Sequence, residues 1–262
     1  MSKIQGFYDE HTQYEWDRLE RHRMEFAMNL RMLQEHLPQP PGMVLDVGGG
    51  PGRYAITLAQ AGYQVTLLDL SANNLDFARQ KAAEFGVTLA GAVHGNALDL
   101  GAFEAAAFDA VLLMGPLYHL LEQEERNRAL REAHRVLKPG GVLAVAFINR
   151  YATIRVHQAD WVIQNARQVQ AELATGVRID EDGRFTDAYA AHPAEVRPLL
   201  EQNGFAFVDM VASEGLRSDI DGPVNHLTGA DWSAWIDLNY RIGKDPTVQG
   251  ACVHLLAIAR KG

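Results

Sequence analysis

The sequence predicts an α/β fold: a mostly parallel sheet between layers of helices, a three-layer sandwich. Short apolar runs at Met43–Val47, Val65–Leu68 and Phe108–Met114 alternate with segments of helical period between 43 and 148. A glycine-rich turn follows the first of these runs directly, and glycines close the helical segments that come after it.

Glu10 to His36 reads as one or two helices with Leu19, Phe26, Leu30, Leu33 and Leu37 on one face. Pro38-Gln39-Pro40-Pro41-Gly42 stops it, because proline lacks the amide a helix needs. Met43 to Val47 is the first strand, and the next helix runs from Arg53 to Ala61, ended by Gly62. Val65 to Asp69 is the second strand, and Ser71 is placed to cap a helix over Ala72–Phe85. Thr88 to His94 is a weaker third strand, and Phe108 to Met114 has the composition of a strand buried on both faces. Glu122 to Leu137 is a helix whose charges read as a solvated face. Lys138-Pro139-Gly140-Gly141 closes it, and Val142 to Ile148 is the fifth strand. From Asn149 to Ala191 the alternation breaks, and this polar stretch without a clear strand reads as a helical cap insertion. A helix over Ala194–Asn203, a strand over Phe205–Val211, a helix over Ala230–Tyr240 and a last strand over Cys252–Ala259 follow. The expected division is an N-terminal helical lid (1–42), a core (43–150), the cap (151–192) and the rest of the core (193–262).

The chemistry concentrates in Val44-Leu45-Asp46-Val47-Gly48-Gly49-Gly50-Pro51-Gly52-Arg53-Tyr54. Glycines between a strand and a helix let the backbone approach a ligand and leave helix N-terminal amides to bind it. A tight turn alone would use the same residues, so two details carry the reading. Gly48, Gly50 and Gly52 are followed by Arg53, where a dinucleotide fingerprint requires its third glycine. Asp46 precedes the loop, where a negative charge gains nothing from a pyrophosphate but favours a cation. Asp69 ends the second strand, where an acid accepts ribose hydroxyls. Its alternative use, capping the next helix, is already served by Ser71.

These motifs, with Gly95-Asn96-Ala97-Leu98-Asp99-Leu100 and Arg135-Val136-Leu137-Lys138-Pro139-Gly140-Gly141 in order, resemble the class I S-adenosylmethionine-dependent methyltransferase family. The resemblance is strong over Val44–Ile148 and looser beyond. It implies a seven-stranded sheet with an antiparallel last strand. It also implies S-adenosylmethionine as cofactor, with Gly48 and Gly50 under the methionine part, Asp69 at the ribose, and Asn96 with Ala97 at the adenine edge. Leu70 and Met114 join that expected cofactor set, as does Tyr14, whose ring would hold a sulfonium by cation–π attraction. Many members carry Asp at the position of Asn96, so a full charge is missing there.

Met114-Gly115-Pro116-Leu117-Tyr118-His119-Leu120 follows the fourth strand, the position that faces the transferred group in this family. It lacks the Asn/Asp-Pro-Pro-aromatic form of enzymes that methylate adenine or glutamine, and it looks like members acting on small metabolites. Tyr118 and His119 are the catalytic candidates, His119 as general base, with helix capping as the plain alternative. Asn149 and Tyr151, after the fifth strand, are the substrate-binding candidates.

The net charge is −9, from 24 basic and 33 acidic residues, which disfavours a nucleic-acid substrate. Cys252 is the single cysteine, and the ten histidines show no metal spacing, so no metal is expected. Met1 to Asp17 has no signal-type apolar core and no run reaches 18 apolar residues, so the expectation is cytoplasmic and off the membrane. The expected activity is methyl transfer to a small molecule by a monomer or homodimer. A second reading keeps the cofactor and cyclises it, releasing methylthioadenosine as in azetidine-2-carboxylate synthases.

Overall fold

The computed structural model describes residues 3–180, 183, 185–216 and 224–262. The first two residues of the expected lid, and 181, 182 and 184 of the expected cap, lie outside these.

Three helices open the chain: α1 (Lys3–Glu10), α2 (Thr12–Arg21) and α3 (Arg23–His36). The break at His22 resets the helical phase. In consequence α3 buries Met24, Met28, Met32 and Leu33, at spacings of four and one, while Phe26 and Leu30 are only half-buried. The single apolar face expected from Leu19 to Leu37 is therefore corrected.

The core follows as β1 (Met43–Val47), α4 (Arg53–Gln60), β2 (Gln64–Asp69), α5 (Ala72–Glu84), β3 (Gly91–His94) and β4 (Phe108–Leu113). Next come α6 (Gln123–Val136) and β5 (Leu137–Asn149), which begins five residues before the expected strand and takes in the Lys-Pro-Gly-Gly turn. Three short helices, α7 (Ala152–Val156), α8 (Ala159–Gln164) and α9 (Ala166–Thr175), lead to the strands β6 (Val177–Arg178) and β7 (Ala188–Ala191). The chain ends with α10 (Pro193–Gln202), β8 (Phe205–Ala212), α11 (Gly229–Gly243), α12 (Pro246–Gln249) and β9 (His254–Lys261).

The principal sheet runs β3-β2-β1-β4-β5-β9-β8, seven strands in which β9 alone is antiparallel to its neighbours. The stretch expected to lack strands contributes one correction. Beyond the end of β4, β7 pairs in parallel with β5 at Ile148 and Asn149, and β6 pairs antiparallel with β7.

Alternate side chains of each strand serve opposite layers. Leu45, Val47, Val111, Leu113, Leu143 and Val145 pack against Leu130, Ala133, Val196 and Leu200 of α6 and α10. Val44, Val65, Leu67, Leu112 and Val142 pack against α3, α4, α5 and α11 through Met28, Leu58, Leu75 and Ile236. Burial on both faces explains the unbroken apolar runs, each large side chain contributing about 2 kcal/mol. The strand order reverses between β1 and β4, which opens a crevice at their carboxyl ends.

Candidate active site

A cavity of about 380 Å³ occupies that crevice. Its floor is the carboxyl ends of β1, β2 and β4 with the turn after β3, and α1 and α2 roof it through Ile4, Gln5, Tyr8, Glu15, Arg18 and Leu19.

The glycine loop owes its shape to two steric facts. Gly48 has φ +67°, and a Cβ there would stand 2.6 Å from Cγ of Pro116, so the turns after β1 and β4 touch only because residue 48 has no side chain. Gly52, with φ +86°, caps α4, and its Cβ would lie 2.9 Å from that of Ala78 on α5. The Gly48 amide donates to the Leu68 carbonyl at 2.7 Å, tying the loop to β2.

Asp69 is the second tie. Its Oδ2 accepts from the Gly50 amide at 2.8 Å, and its Oδ1 from the Ser71 amide at 2.9 Å and Asn74 Nδ2 at 3.1 Å. Burial raises its pKa while these three donors oppose the rise. Oδ2 retains a lone pair for a ligand hydroxyl. Ser71 caps α5 by accepting from the Asn74 amide, as its position predicts, and donates to Asp9 of α1 at 2.5 Å.

Asp46 is 2 % exposed, and its Oδ2 has no partner among the described residues. Burial, reinforced by the charge of Asp69, pushes its carboxyl up to about 7. An unpaired carboxylate oxygen in a closed space is costly unless a cation or donor meets it.

The other half of the cavity is built from side chains on separate elements. His119 ends the 3₁₀ turn Pro116–His119. Its Nε2 is 2.7 Å from the Tyr8 hydroxyl and its Nδ1 2.8 Å from the Thr186 hydroxyl. Burial lowers its pKa to about 4, so the imidazole is neutral at pH 7. Burial likewise raises the phenols of Tyr8 and Tyr118. Arg18 reaches the same wall, gripped by Glu25 in two parallel hydrogen bonds of 2.8 and 3.0 Å. Behind this pair, His254 bonds Glu214 at 2.5 Å and lies 3.8 Å from Glu25. Burial opposes the ionisation of Glu25, but Arg18 and then His254 outweigh it and hold the carboxyl at about 2.

Asp46, Gly48, Gly50, Asp69, Leu70, Asn96, Ala97, Met114, Tyr118 and His119 all line this one cavity. Three expected residues do not. Tyr14 is 56 % exposed on the outer side of α2, its ring covered by the Arg21 guanidinium at 4.2 Å. The aromatic residue of the lid that meets the cavity is Tyr8. Within α2, Glu15, Arg18 and Leu19 share one face at spacings of three and four, a phase that excludes Tyr14, while Tyr8 comes from α1 across the break at His11. Asn149 is fully buried and braces the backbone: its Nδ2 donates to the Gln249 carbonyl at 2.6 Å and its Oδ1 accepts from the Tyr151 amide at 3.0 Å. Tyr151 sits at the N-cap of α7, and its half-exposed ring lies edge-on to His192. Thr186 carried no sequence signal, being brought to His119 only by the approach to β7.

Residues 45–145 match the family described as the methyltransferase domain. The match spans β1 to β5, the strands that form the cavity floor. The chain is 34 % identical over 176 residues to a tRNA 5-carboxymethoxyuridine methyltransferase of Escherichia coli (strain K12), covering 67 % of this chain and 63 % of that protein. It is 37 % identical over 107 residues to a ubiquinone biosynthesis O-methyltransferase of Caulobacter vibrioides, 41 % of each chain. The chain thus spans less than two thirds of the length of either relative. A SAM-dependent methyltransferase structure from Thermotoga maritima superposes with a TM-score of 0.64 at 18 % identity, over 98 % of this chain and 99 % of that one, and shares the fold.

The cofactor that the matched domain implies is S-adenosylmethionine, and the residues present fit it. The partnerless Asp46 oxygen suits its ammonium group, the space beside Gly50, where a Cβ would meet only Asn74 Nδ2 at 3.9 Å, leaves room for a ligand, and Asp69 Oδ2 can take a ribose hydroxyl. No helix among the described residues is long and apolar enough to cross a membrane.

Proposed function

We propose that the chain transfers the methyl group of S-adenosylmethionine to a small-molecule N, O or S nucleophile by in-line displacement. The observation that carries the reading is Asp46, a buried carboxylate with an unpartnered oxygen at the mouth of a glycine loop. When bound, the cofactor supplies a sulfonium methyl whose leaving group is already activated. The protein must then align the acceptor and exclude water. Gly48, Gly50, Asp69, Asn96 and Ala97 would hold the nucleoside and amino-acid parts. Ile4, Tyr8 and Leu19 would shut out solvent from above. His119, neutral and joined to Tyr8, would take a proton from an acceptor that must lose one once Tyr8 yields Nε2.

A net charge of −9 and the helical roof support a small acceptor over a folded polynucleotide. The relative that acts on tRNA supports the second reading, a nucleic-acid acceptor. Purified protein incubated with S-adenosylmethionine alone, and then with candidate acceptors, tests these readings by mass spectrometry of the nucleosides. S-adenosylhomocysteine formed only with a small acceptor is the expected result. Methylthioadenosine formed from cofactor alone overturns methyl transfer in favour of cyclisation. Turnover that requires tRNA overturns the small-molecule assignment.

A further inference from the structure

We propose that Arg126 is a positioning residue for the acceptor side of the cavity, a clamp that holds the turn carrying Tyr118 and His119 against the strand leading from Thr186. The inference rests on the methyltransferase reading, in which that turn faces the transferred group.

Arg126 lies in the charged run expected to be a solvated helix face, yet it is only 6 % exposed. Its Nη1 donates to the carbonyls of Leu120 at 2.6 Å and Leu121 at 2.7 Å. These two groups follow directly on the Pro116–His119 turn, where the carbonyls of a helical end lack internal donors. The guanidinium carbon lies 3.5 Å from the centre of the Tyr189 ring, on β7, three residues after Thr186. One planar group therefore joins the two segments that flank His119.

The arrangement is unusual for a buried cation. Arg126 forms no ion pair with a carboxylate among the described residues, and its Nε is buried without a partner. Glu195, on the same side, is committed to Arg150 through two hydrogen bonds and to the Tyr189 hydroxyl. Burial lowers the Arg126 pKa, so the site works against the charge it holds. One nitrogen, Nη1, makes both carbonyl bonds, which a lysine ammonium could copy, but the flat stacking on Tyr189 needs a guanidinium. A merely stabilising salt bridge would have brought an acid to it; what this guanidinium meets is backbone and a ring on opposite sides of His119.

If the clamp is released, the turn is free to part from Thr186, and His119 loses the bond that fixes its Nδ1. The groups facing His119 include Tyr8 from α1, Tyr118 from its own turn, the Phe185 ring, the Thr186 hydroxyl and Asp187 backbone from the approach to β7, and Arg178 from β6.

The test is nitrogen-15 NMR of histidine-labelled protein at pH 7, with the His119 signals assigned by their loss in His119→Gln. Wild type is expected to show one pyridine-like and one pyrrole-like nitrogen, the signature of a fixed tautomer. Arg126→Met is expected to average the two, and Arg126→Lys to fall between. Affinity for S-adenosylhomocysteine is expected to stay within about twofold, because the glycine loop and Asp69 do not touch Arg126. A folded Arg126→Met protein with an unchanged His119 signature overturns the proposal. Where Arg126→Met fails to fold, Tyr189→Leu removes the stacked ring instead. Averaging there supports the clamp, and an unchanged signature overturns it. A wild type that binds no S-adenosylhomocysteine while keeping a fixed His119 counts against the methyltransferase reading, not the clamp.

Discussion

The two halves of the cavity are made in different ways. The half proposed for the cofactor comes from the ends of β1 and β2 and the turn after β3, and its decisive groups are backbone: the Gly48 amide on Leu68, the Gly50 amide on Asp69, and glycines where a Cβ would collide. The acceptor half is a meeting of side chains from α1, α2, the turn after β4 and the approach to β7. Strands packed on both faces cannot shift without opening the core, whereas the helical roof is latched by a few bonds such as Tyr8 to His119 and Asp9 to Ser71. The first half thus suits a ligand of constant shape, and the second can be rebuilt for a different acceptor.

The largest expected effect breaks the cofactor half. Asp69→Ala removes the proposed ribose acceptor and strands the Gly50 and Ser71 amides and Asn74, so S-adenosylhomocysteine affinity should fall by about 100-fold, or ~3 kcal/mol. Isothermal calorimetry measures it, and normal binding would remove Asp69 from the site.

Asp46→Asn separates function from stability within the same half. The folded protein holds this carboxyl at about 7 against 3.8 in the unfolded chain, so it binds the extra proton between those values. Its contribution to stability is therefore present in full below about pH 4 and lost as pH rises through about 7. Asn removes that loss. The variant's stability should rise increasingly above wild type between about pH 4 and pH 7 and then level off, by up to a few kcal/mol, while it binds cofactor about tenfold more weakly. A difference in melting that does not widen with pH would show that Asp46 carries its charge at no cost.

On the acceptor side, Tyr8→Phe deletes one hydrogen bond, and the lid should loosen by about 1 kcal/mol, read as faster amide exchange in α1, with cofactor affinity changed only slightly. The smallest effect is Tyr14→Ala, within about 0.5 kcal/mol in stability and without effect on binding. A cofactor defect in this variant would restore Tyr14 to the site and blur the distinction between the halves.

The same difference governs what could be read from the chain. Strand-turn-helix chemistry is local, so Asp46, Gly48, Gly50, Asp69 and the Ser71 cap were legible from a few adjacent residues. The seven strands and the antiparallel last one followed from family resemblance, and the β7 pairing was not visible because a four-residue strand rich in alanine has little pattern. One helix or two leaves the phase of the N-terminal segment open, and the breaks at His11 and His22 turn Tyr8 to the cavity and Tyr14 outward. Asn149 follows a strand, as many ligand residues do, but here its amide repairs the backbone at the start of α7. Arg126 was hidden by its neighbours, since one buried arginine in a charged run has no local mark.

The most direct measurement is the heat of S-adenosylhomocysteine binding near pH 7 in two buffers of different ionisation enthalpy. An ammonium seated beside Asp46 favours its carboxylate, so the account predicts binding with net release of protons that disappears in Asp46→Asn. Absence of binding, or binding with the same proton exchange in wild type and Asp46→Asn, would contradict it.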